Sequence, residues 1–416
     1  MEDPKDRKKG DVVMFIDSKQ IVSFISKKKS LFQPFDDHII DFLDNVSKEA
    51  NKLFKKKNLL DLFYLSKWCS RKQLLKKKDI YSKGITFKVG RGLAYHNCPS
   101  NVPTNFVYSF FFGLLSGNCN IVKIPSKDFI ETKIILSLIN KVVSKKEYSD
   151  IRNSNAFVYF DRENKDILKE ISINSDVRLL WGGDQSVNEL KKIPTSTRCL
   201  DLVFSDRYSF SVISLESLKC LSLTEFKILV KNFFYDSYYM LQNACNSPHF
   251  VFWQGREDKK ITSKFWNILN KIADKKISFS DNQKYEKFSN LNENVIKMNL
   301  DIEISKYSDY LTVINVNKFN KLSNKIECLR GKNGIFFEKN INNLNYLRKY
   351  ITKKCQTVSY FGFSKKDFES LILKNNLKGG DRFVPIGQSM NIDLIWDSYD
   401  LINVMSRSVE ILNIND

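Results

Sequence analysis

Beyond position 85, short apolar runs of strand length alternate with stretches whose apolar residues recur at helical spacing. Residues 92–96, 121–124, 156–160, 177–181 and 210–213 read as buried strands. An apolar helix ends at Leu115. Another has Ser126 as its N-cap and Ile130, Ile134, Ile135, Leu138, Ile139 and Val142 along one face. A short Lys-rich helix and one after Gly182-Gly183 complete the set. Such alternation predicts a parallel sheet with helices on its faces. A second α/β unit starts near Ser214, with a helix over 226–243 and strands at 250–253, 311–316 and 334–338. Residues 256–310 are polar and show no readable period. Residues 1–80 are Lys-rich with helical patches, the clearest a stripe of Ile39, Phe42, Leu43 and Val46. The expected organisation is an N-terminal helical region (1–84), a nucleotide-binding domain (85–213), a catalytic domain (214–390) and a returning C-terminal segment (391–416).

Composition narrows the class. Of 416 residues, 42% are hydrophobic and 13% aromatic, enough apolar surface to offset the ordering entropy of a multi-domain core. The formal charge of +20 invites a nucleic-acid reading. Its carriers, however, are mostly lysines in short runs (27–29, 55–57, 76–78), without zinc-finger, helix-turn-helix or RNP-type patterns. A solvated surface fits better, and would suit an anionic cofactor or CoA thioester; nucleic-acid binding stays the charge-driven alternative. The N-terminal residues lack the apolar segment of a secretion signal. The longest nearly uncharged apolar run, 106–115, is half a membrane span. Eight cysteines without a Cys-x-x-Cys pair read as reduced thiols of a cytoplasmic protein. Three histidines (38, 96, 249) without ligand spacings argue against a metal site.

The chain has neither a Walker A loop nor a Gly-x-Ser-x-Gly elbow, and Gly90-Arg91-Gly92 lacks the third glycine of a dinucleotide fingerprint. Cysteine chemistry is left. Cys245 stands between an amphipathic helix and a buried strand, with small and polar neighbours that leave room for a substrate. By residue type alone it is a packed small side chain or a nucleophile. His249, four residues on, either activates that thiol or packs. Gly182-Gly183 is a plain turn or a place where backbone meets a pyrophosphate.

An ordered set of motifs tips these choices. Gly90 to Pro103, containing Pro99-Ser100-Asn101-Val102-Pro103, is similar to the Pro-Trp-Asn-Phe-Pro region of aldehyde dehydrogenases. Gly117-Asn118-Cys119-Asn120-Ile121-Val122-Lys123 resembles their Gly-Asn-x-x-Val-x-Lys segment. Trp181-Gly182-Gly183-Asp184 stands where they have Phe-Thr-Gly-Ser, and Gln242-Asn243-Ala244-Cys245 resembles their Gly-Gln-x-Cys nucleophile. Within that superfamily the chain most resembles the acyl-CoA reductases of bacterial luminescence systems (LuxC-like). The resemblance rests also on Asp206-Arg207-Tyr208-Ser209, Ala244-Cys245-Asn246-Ser247-Pro248-His249, the 381–388 stretch and Asp393-Leu394-Ile395-Trp396-Asp397.

The resemblance implies an aldehyde-dehydrogenase-like α/β fold: a Rossmann-type cofactor domain, an α/β catalytic domain, and a small β oligomerisation element from 85–89 and 409–414. It implies Cys245 as nucleophile, Asn101 with the Cys245 N–H as oxyanion donors, and His249 as an auxiliary group. Cofactor contacts fall to Pro99, Ser100, Lys123, Ser126, Gly182, Gly183 and, on the far side, Gln356, around which the usual ribose glutamate has no clear counterpart. NAD-preferring relatives carry a glutamate where Ser126 stands; its loss beside Lys127 predicts NADPH. The Glu-Leu-Gly-Gly segment that activates water in hydrolytic members is missing from 202–209, which favours thioester reduction over oxidation to acid. The implied substrate is an acyl-CoA or acyl-protein thioester. The implied partners are an acyl-protein synthetase or acyl transferase and further copies of the chain. An acyltransferase or thioesterase using the same cysteine is the rival within enzymes.

Overall fold

The computed structural model describes residues 14–412 except 28, 58, 82–86, 100, 101, 162, 163, 299–301 and 320. It divides into two compact units, Met1–Ser205 with Tyr399–Asp416, and Asp206–Ser398.

The strands of the first part of the chain are β1 (Phe15–Ile16), β2 (Phe87–Gly90), β3 (Leu93–Asn97), β4 (Cys119–Lys123), β5 (Asn155–Val158), β6 (Val177–Trp181) and β7 (Leu200–Phe204). Six of them form a parallel sheet in the order β1-β5-β4-β3-β6-β7. Near-continuous burial along β3 to β6 is what a parallel sheet covered on both faces requires. The helix Asn105–Leu115 follows β3, and its Phe110, Phe111 and Phe112 are core residues.

Two details differ from the sequence reading. The helix after β4 runs Ile130–Val143 and is preceded by Phe129, with no side-chain cap, so Ser126 is not its N-cap. Ile130 is exposed, and burial instead falls on Ile135, Leu136, Leu138, Ile139, Val142 and Val143. The N-terminal helices also do not form a region of their own. Asp37–Lys57, which buries the expected Ile39, Phe42, Leu43 and Val46 stripe, packs on Ile130–Val143. Trp68 stacks against Phe111, ring centroids 6.0 Å apart.

The second unit holds β8 (Tyr208–Ser214), β9 (Pro248–Gln254), β10 (Glu303–Lys306), β11 (Thr312–Asn315), β12 (Ile335–Ile341), β13 (Cys355–Phe361) and β14 (Arg382–Pro385). Its sheet order is β10-β11-β12-β9-β8-β13-β14, parallel except for β10. The strand expected at 210–213 therefore belongs to this sheet, and the division falls at 205/206 instead of 213/214, because β8 pairs with β9 and β13. Residues 391–398 likewise stay with this unit. The polar stretch 256–310 contains two helices, Lys259–Lys276 and Asp281–Met298. Helix Leu223–Tyr238 starts on a Ser222/Glu225 capping box, each side chain satisfying the other residue's N–H. It stops at Tyr238, short of the expected 243, since Leu241 and Gln242 adopt φ of 48° and 61°.

In the first unit, β2 pairs antiparallel with Ser406–Val409, Gly90 opposite Ser406 and Phe87 opposite Val409. The sequence placed a two-stranded element at 85–89 and 409–414; its first strand falls near there, but the second lies earlier, sharing only Val409, and 410–412 are not strand, while residues 85, 86, 413 and 414 lie outside the described ones. Among the described residues, no helix is long and apolar enough to cross a membrane.

Candidate active site

In the first sheet, successive strands run outward from β3 in both directions, β4 and β5 to one side, β6 and β7 to the other. Such a reversal leaves room at the carboxyl ends of the strands for a dinucleotide. Lys123 is the last residue of β4, its ammonium 4.6 Å from the centre of the Phe160 ring. Ser126 and Lys127 are exposed just beyond, and Asp128, next in the sequence, pairs with Lys133 at 2.8 Å. After β6, Gly183 is the N-cap of helix Asp184–Lys191 and supplies no side chain to its first N–H groups. A Cβ at Gly183 would meet nothing within 4 Å, so there is open space beside that residue, and Asp184 carries a carboxylate in the first turn that follows. Trp181, just before, lies flat on Phe204 at 3.8 Å.

Beneath these ends, His96 is buried between Ser109 Oγ and Asn120 Oδ1, each 2.8 Å away, and Asn120 also donates to Asn155 Oδ1. Burial pushes the imidazole down to about 4, so it is neutral. A Cβ on Gly113 would fall 1.8 Å from Asn120 Oδ1, which explains the glycine in an otherwise apolar helix. Pro99 is half-buried after β3; Ser100 and Asn101 lie outside the described residues.

In the second unit the chemistry-bearing residues collect at the amino ends of the strands. Cys245 is exposed, on a turn three residues before β9. That turn is fastened along its length. The Ser209 hydroxyl donates to the Cys245 carbonyl at 2.6 Å and itself accepts the Thr357 N–H at 3.1 Å. Asn246 donates to the Ser389 carbonyl at 2.6 Å, and the Ser247 N–H to the Ala244 carbonyl at 2.9 Å. Gln242 is buried in a left-handed conformation that costs a non-glycine residue about 1–2 kcal/mol. Its side-chain amide offsets that cost by donating to the Pro248 and Ile335 carbonyls and accepting from the Gly334 N–H.

The residue as a whole is exposed, yet the protein around its thiol withdraws solvation from it. That desolvation, with the Asp397 and Asp206 charges, pushes the Cys245 thiol up to about 11 against the Arg207 N–H and the Arg330 guanidinium. The resting residue is a thiol. Its proton must leave as the nucleophile forms.

His249 is not an ion-pair partner for that thiol. It is buried, its Nδ1 donates to the Gly331 carbonyl at 2.9 Å, and burial pushes it down to about 3. Asp206 and Arg207 do not pair with each other; Arg207 meets Asp381 at 2.5 Å and Asp206 meets Arg330 at 3.3 Å. Gln356 is buried at the start of β13, donates to Asp397 Oδ1 at 2.5 Å, and keeps Oε1 as an acceptor without a protein partner. Burial pushes Asp397 up to about 6, opposed by Arg207 and Gln356. Among the described residues, no group of three His, Cys, Asp or Glu could hold a metal.

Sequence reasoning assigned no role to Ser209, Gln242, Asn246, Asp236, Thr357, Arg382 or Asp397. Their signal was polarity out of place: serines at 209, 211 and 214 interrupt a buried strand, and Asp236 sits on the apolar face of a helix.

A profile of the family described as "Acyl-CoA reductase (LuxC)" matches residues 28–406. The chain is 23% identical over 329 residues to a long-chain acyl-protein thioester reductase of Photorhabdus luminescens; the match takes in 77% of this chain and 63% of that protein, under two thirds of its length. Among solved structures, a glyceraldehyde-3-phosphate dehydrogenase of Methanocaldococcus jannaschii complexed with NADP superposes with TM-score 0.60 and 13% identity, over 95% of this chain and 94% of the other. Aldehyde dehydrogenase 21 of Physcomitrella patens gives TM-score 0.62 and 8% identity, over 95% and 89%. The fold is that of aldehyde dehydrogenases.

Proposed function

The chain belongs to the LuxC family of acyl-CoA reductases, and on that premise we propose that it reduces an acyl thioester to the aldehyde with NADPH, through an acyl group carried on Cys245. The observation that carries this reading is the placement of Cys245. It is an exposed thiol on a turn whose backbone is held from both sides, in a chain of this family.

Attack of the Cys245 sulfur on the thioester carbonyl forms Cys–S–C(=O)R, and the leaving CoA or carrier thiol departs with the proton that Cys245 gave up. Asn101 and the Cys245 N–H are the assigned oxyanion donors, one such donor being worth roughly 10²–10³ in rate. The nicotinamide cofactor, when bound, supplies the hydride that takes the acyl group to the aldehyde level. With one proton taken from water, the resulting thiohemiacetal collapses, its C–S bond breaking to return Cys245 as a thiol and release the aldehyde.

The residues present suit such a cofactor. Gly182 and Gly183 leave open space before the helix Asp184–Lys191 where backbone could approach a pyrophosphate. Lys123, Ser126 and Lys127 give the ribose end a cationic setting without a carboxylate at 126, which supports NADPH over NADH. Pro99, just after β3, and Ser100 are further proposed contacts, and the Gln356 Oε1 is an acceptor for a cofactor hydroxyl. His249 takes no proton in this scheme. The β2 ribbon, with exposed Phe87, is the proposed association element of a cytoplasmic homo-oligomer.

The test is Cys245→Ala and Cys245→Ser, given palmitoyl-CoA and NADPH. The expected result is loss of NADPH oxidation, aldehyde formation and acyl labelling together. Retained aldehyde production in either variant would sink the assignment, and acyl labelling of the wild type without NADPH oxidation would point to acyl transfer alone.

A further inference from the structure

A buried carboxylate far from any surface role deserves its own account. Asp236 lies in the last turn of helix Leu223–Tyr238 and is 1% exposed. It receives two backbone donors from one loop, the Gly387 N–H at 2.6 Å and the Ser389 N–H at 3.0 Å. The loop rests directly on the helix. Gly387 has φ +99°, and a Cβ there would come within 2.9 Å of the Asn232 Cβ, one turn before Asp236.

The same loop is gripped from its carbonyl side by a second, half-buried charge. Arg382 donates to the Ser389 carbonyl at 3.2 Å and the Asn391 carbonyl at 2.8 Å. It reaches Thr357 Oγ1 at 3.3 Å, and its guanidinium lies 4.4 Å over the Trp396 ring. A carboxylate thus takes the loop's N–H groups and a guanidinium takes its carbonyls. Charge-assisted bonds of this kind are about twice as strong as neutral ones. The loop's outward contact is to the nucleophile turn, because the Ser389 carbonyl that Arg382 holds also accepts the Asn246 side chain at 2.6 Å.

We propose that Asp236 and Arg382, acting through the 387–391 loop and Asn246, position the Cys245 turn, and that Asp236 therefore sets the reactivity of a thiol it does not touch. The inference deepens the proposed function and rests on Cys245 being its nucleophile. Its test is chosen to be readable without any acyl substrate.

Asp236→Asn keeps the shape but turns an amide NH₂ toward one of the two loop N–H groups, so the loop loses one anchor. Asn246→Ala removes the last link and leaves the Asp236 clasp intact. In each variant the turn relaxes away from the protein wall that desolvates the sulfur, and the Cys245 thiol falls toward the ordinary thiol value. Iodoacetamide alkylation, followed peptide by peptide across a pH series, should be about tenfold faster or more at Cys245 at pH 7.5. Exposed Cys220 and Cys328 in the same sample should keep their wild-type rates.

Palmitoyl-CoA reduction should fall in the same variants by about tenfold in kcat, with KM for NADPH unchanged. The double variant should be no further from wild type than the singles, since both cut one chain of contacts. A wild-type or slower Cys245 alkylation profile in either single variant, or additive effects in the double, overturns the inference. Asn246→Ala decides the matter should Asp236→Asn fail to fold. A wild type that alkylates at Cys245 but is never acylated would count against the proposed function and not against the positioning.

Discussion

Both sheets are mostly parallel, and the residues of interest lie at opposite ends of their strands. In the first, chain order runs outward from β3 through β4 and β5 on one side and β6 and β7 on the other; in the second the chain steps from β8 to β9, goes to the far edge at β10 and returns inward through β11 and β12, with β13 and β14 on the other side of β8. The rule that ligands bind at the carboxyl ends of parallel strands, where the order reverses, locates Lys123 and Gly182-Gly183 in the first sheet. Applied to the second it points to Gly255 and Gly362, away from the charged residues. There Arg207, Cys245, Gln356, Asp381 and Arg382 gather at the amino ends of β8, β9, β13 and β14. Strand topology alone therefore points to the proposed cofactor contacts but not to the proposed nucleophile. The amino end has no crevice of its own making, and a reactive residue there needs side-chain fastenings such as Ser209, Gln242 and Asn246.

If the two ends hold separate tasks, single changes should separate them. The largest effect is a paired one. Cys245→Ala should lower aldehyde formation by about 10³-fold or more while NADPH still raises the melting temperature. Gly183→Asp should do the reverse, since φ of −67° and open space admit the side chain but its charge opposes a pyrophosphate at that helix start. The shift with NADPH should vanish while Cys245 alkylation stays as in wild type. Ser126→Glu should move cofactor preference toward NADH by about tenfold, read as the ratio of kcat/KM values. Asp397→Asn removes the charge that helps hold the Cys245 thiol high, so the alkylation midpoint should move below about 11.

The smallest effect concerns acid. His96, held down to about 4, resists protonation when folded, so the stability it confers is present above its ordinary value near 6.5 and lost as pH falls through 4. Asp236 and Asp397, pushed up to about 6, bind protons more readily folded than unfolded. The stability they confer grows as pH falls from about 6 to 4, partly against His249 in the same unit. Carboxylates held low at the surface of both units are screened and count for less. Pulse proteolysis at pH 4.5 should cut the first unit before the second; the opposite order would mean that buried charge in the second unit is unprotected.

Much of the frame was legible because parallel strands buried on both faces are simply apolar, and helix Asp37–Lys57 carries a clean stripe. Cys245 was legible through its motif and is among the exposed thiols. Helix Asp281–Met298 was not, because it buries Lys287 and Asn294 while exposing Tyr285, Phe288 and Ile296, which inverts the pattern a helix is recognised by. The helix end at Tyr238 was missed for want of a glycine, since a buried glutamine there does a glycine's conformational work. The boundary at 205 was missed because strand β8 is apolar in either domain; only its hydrogen-bonded neighbours tell which sheet it joins. The proposed NADPH preference, by contrast, rests on three side chains alone, Lys123, half-buried at the end of β4, and exposed Ser126 and Lys127.

The ribbon between β2 and Ser406–Val409 has a consequence for how the chain comes off the ribosome. One of its strands, 87–90, is made before the whole second unit and the other, 406–409, after it. The second unit is one unbroken stretch and can close as soon as residue 398 has emerged. The part of the protein that begins first thus finishes last, holding an unpaired edge at 87–90 through the making of more than 300 further residues.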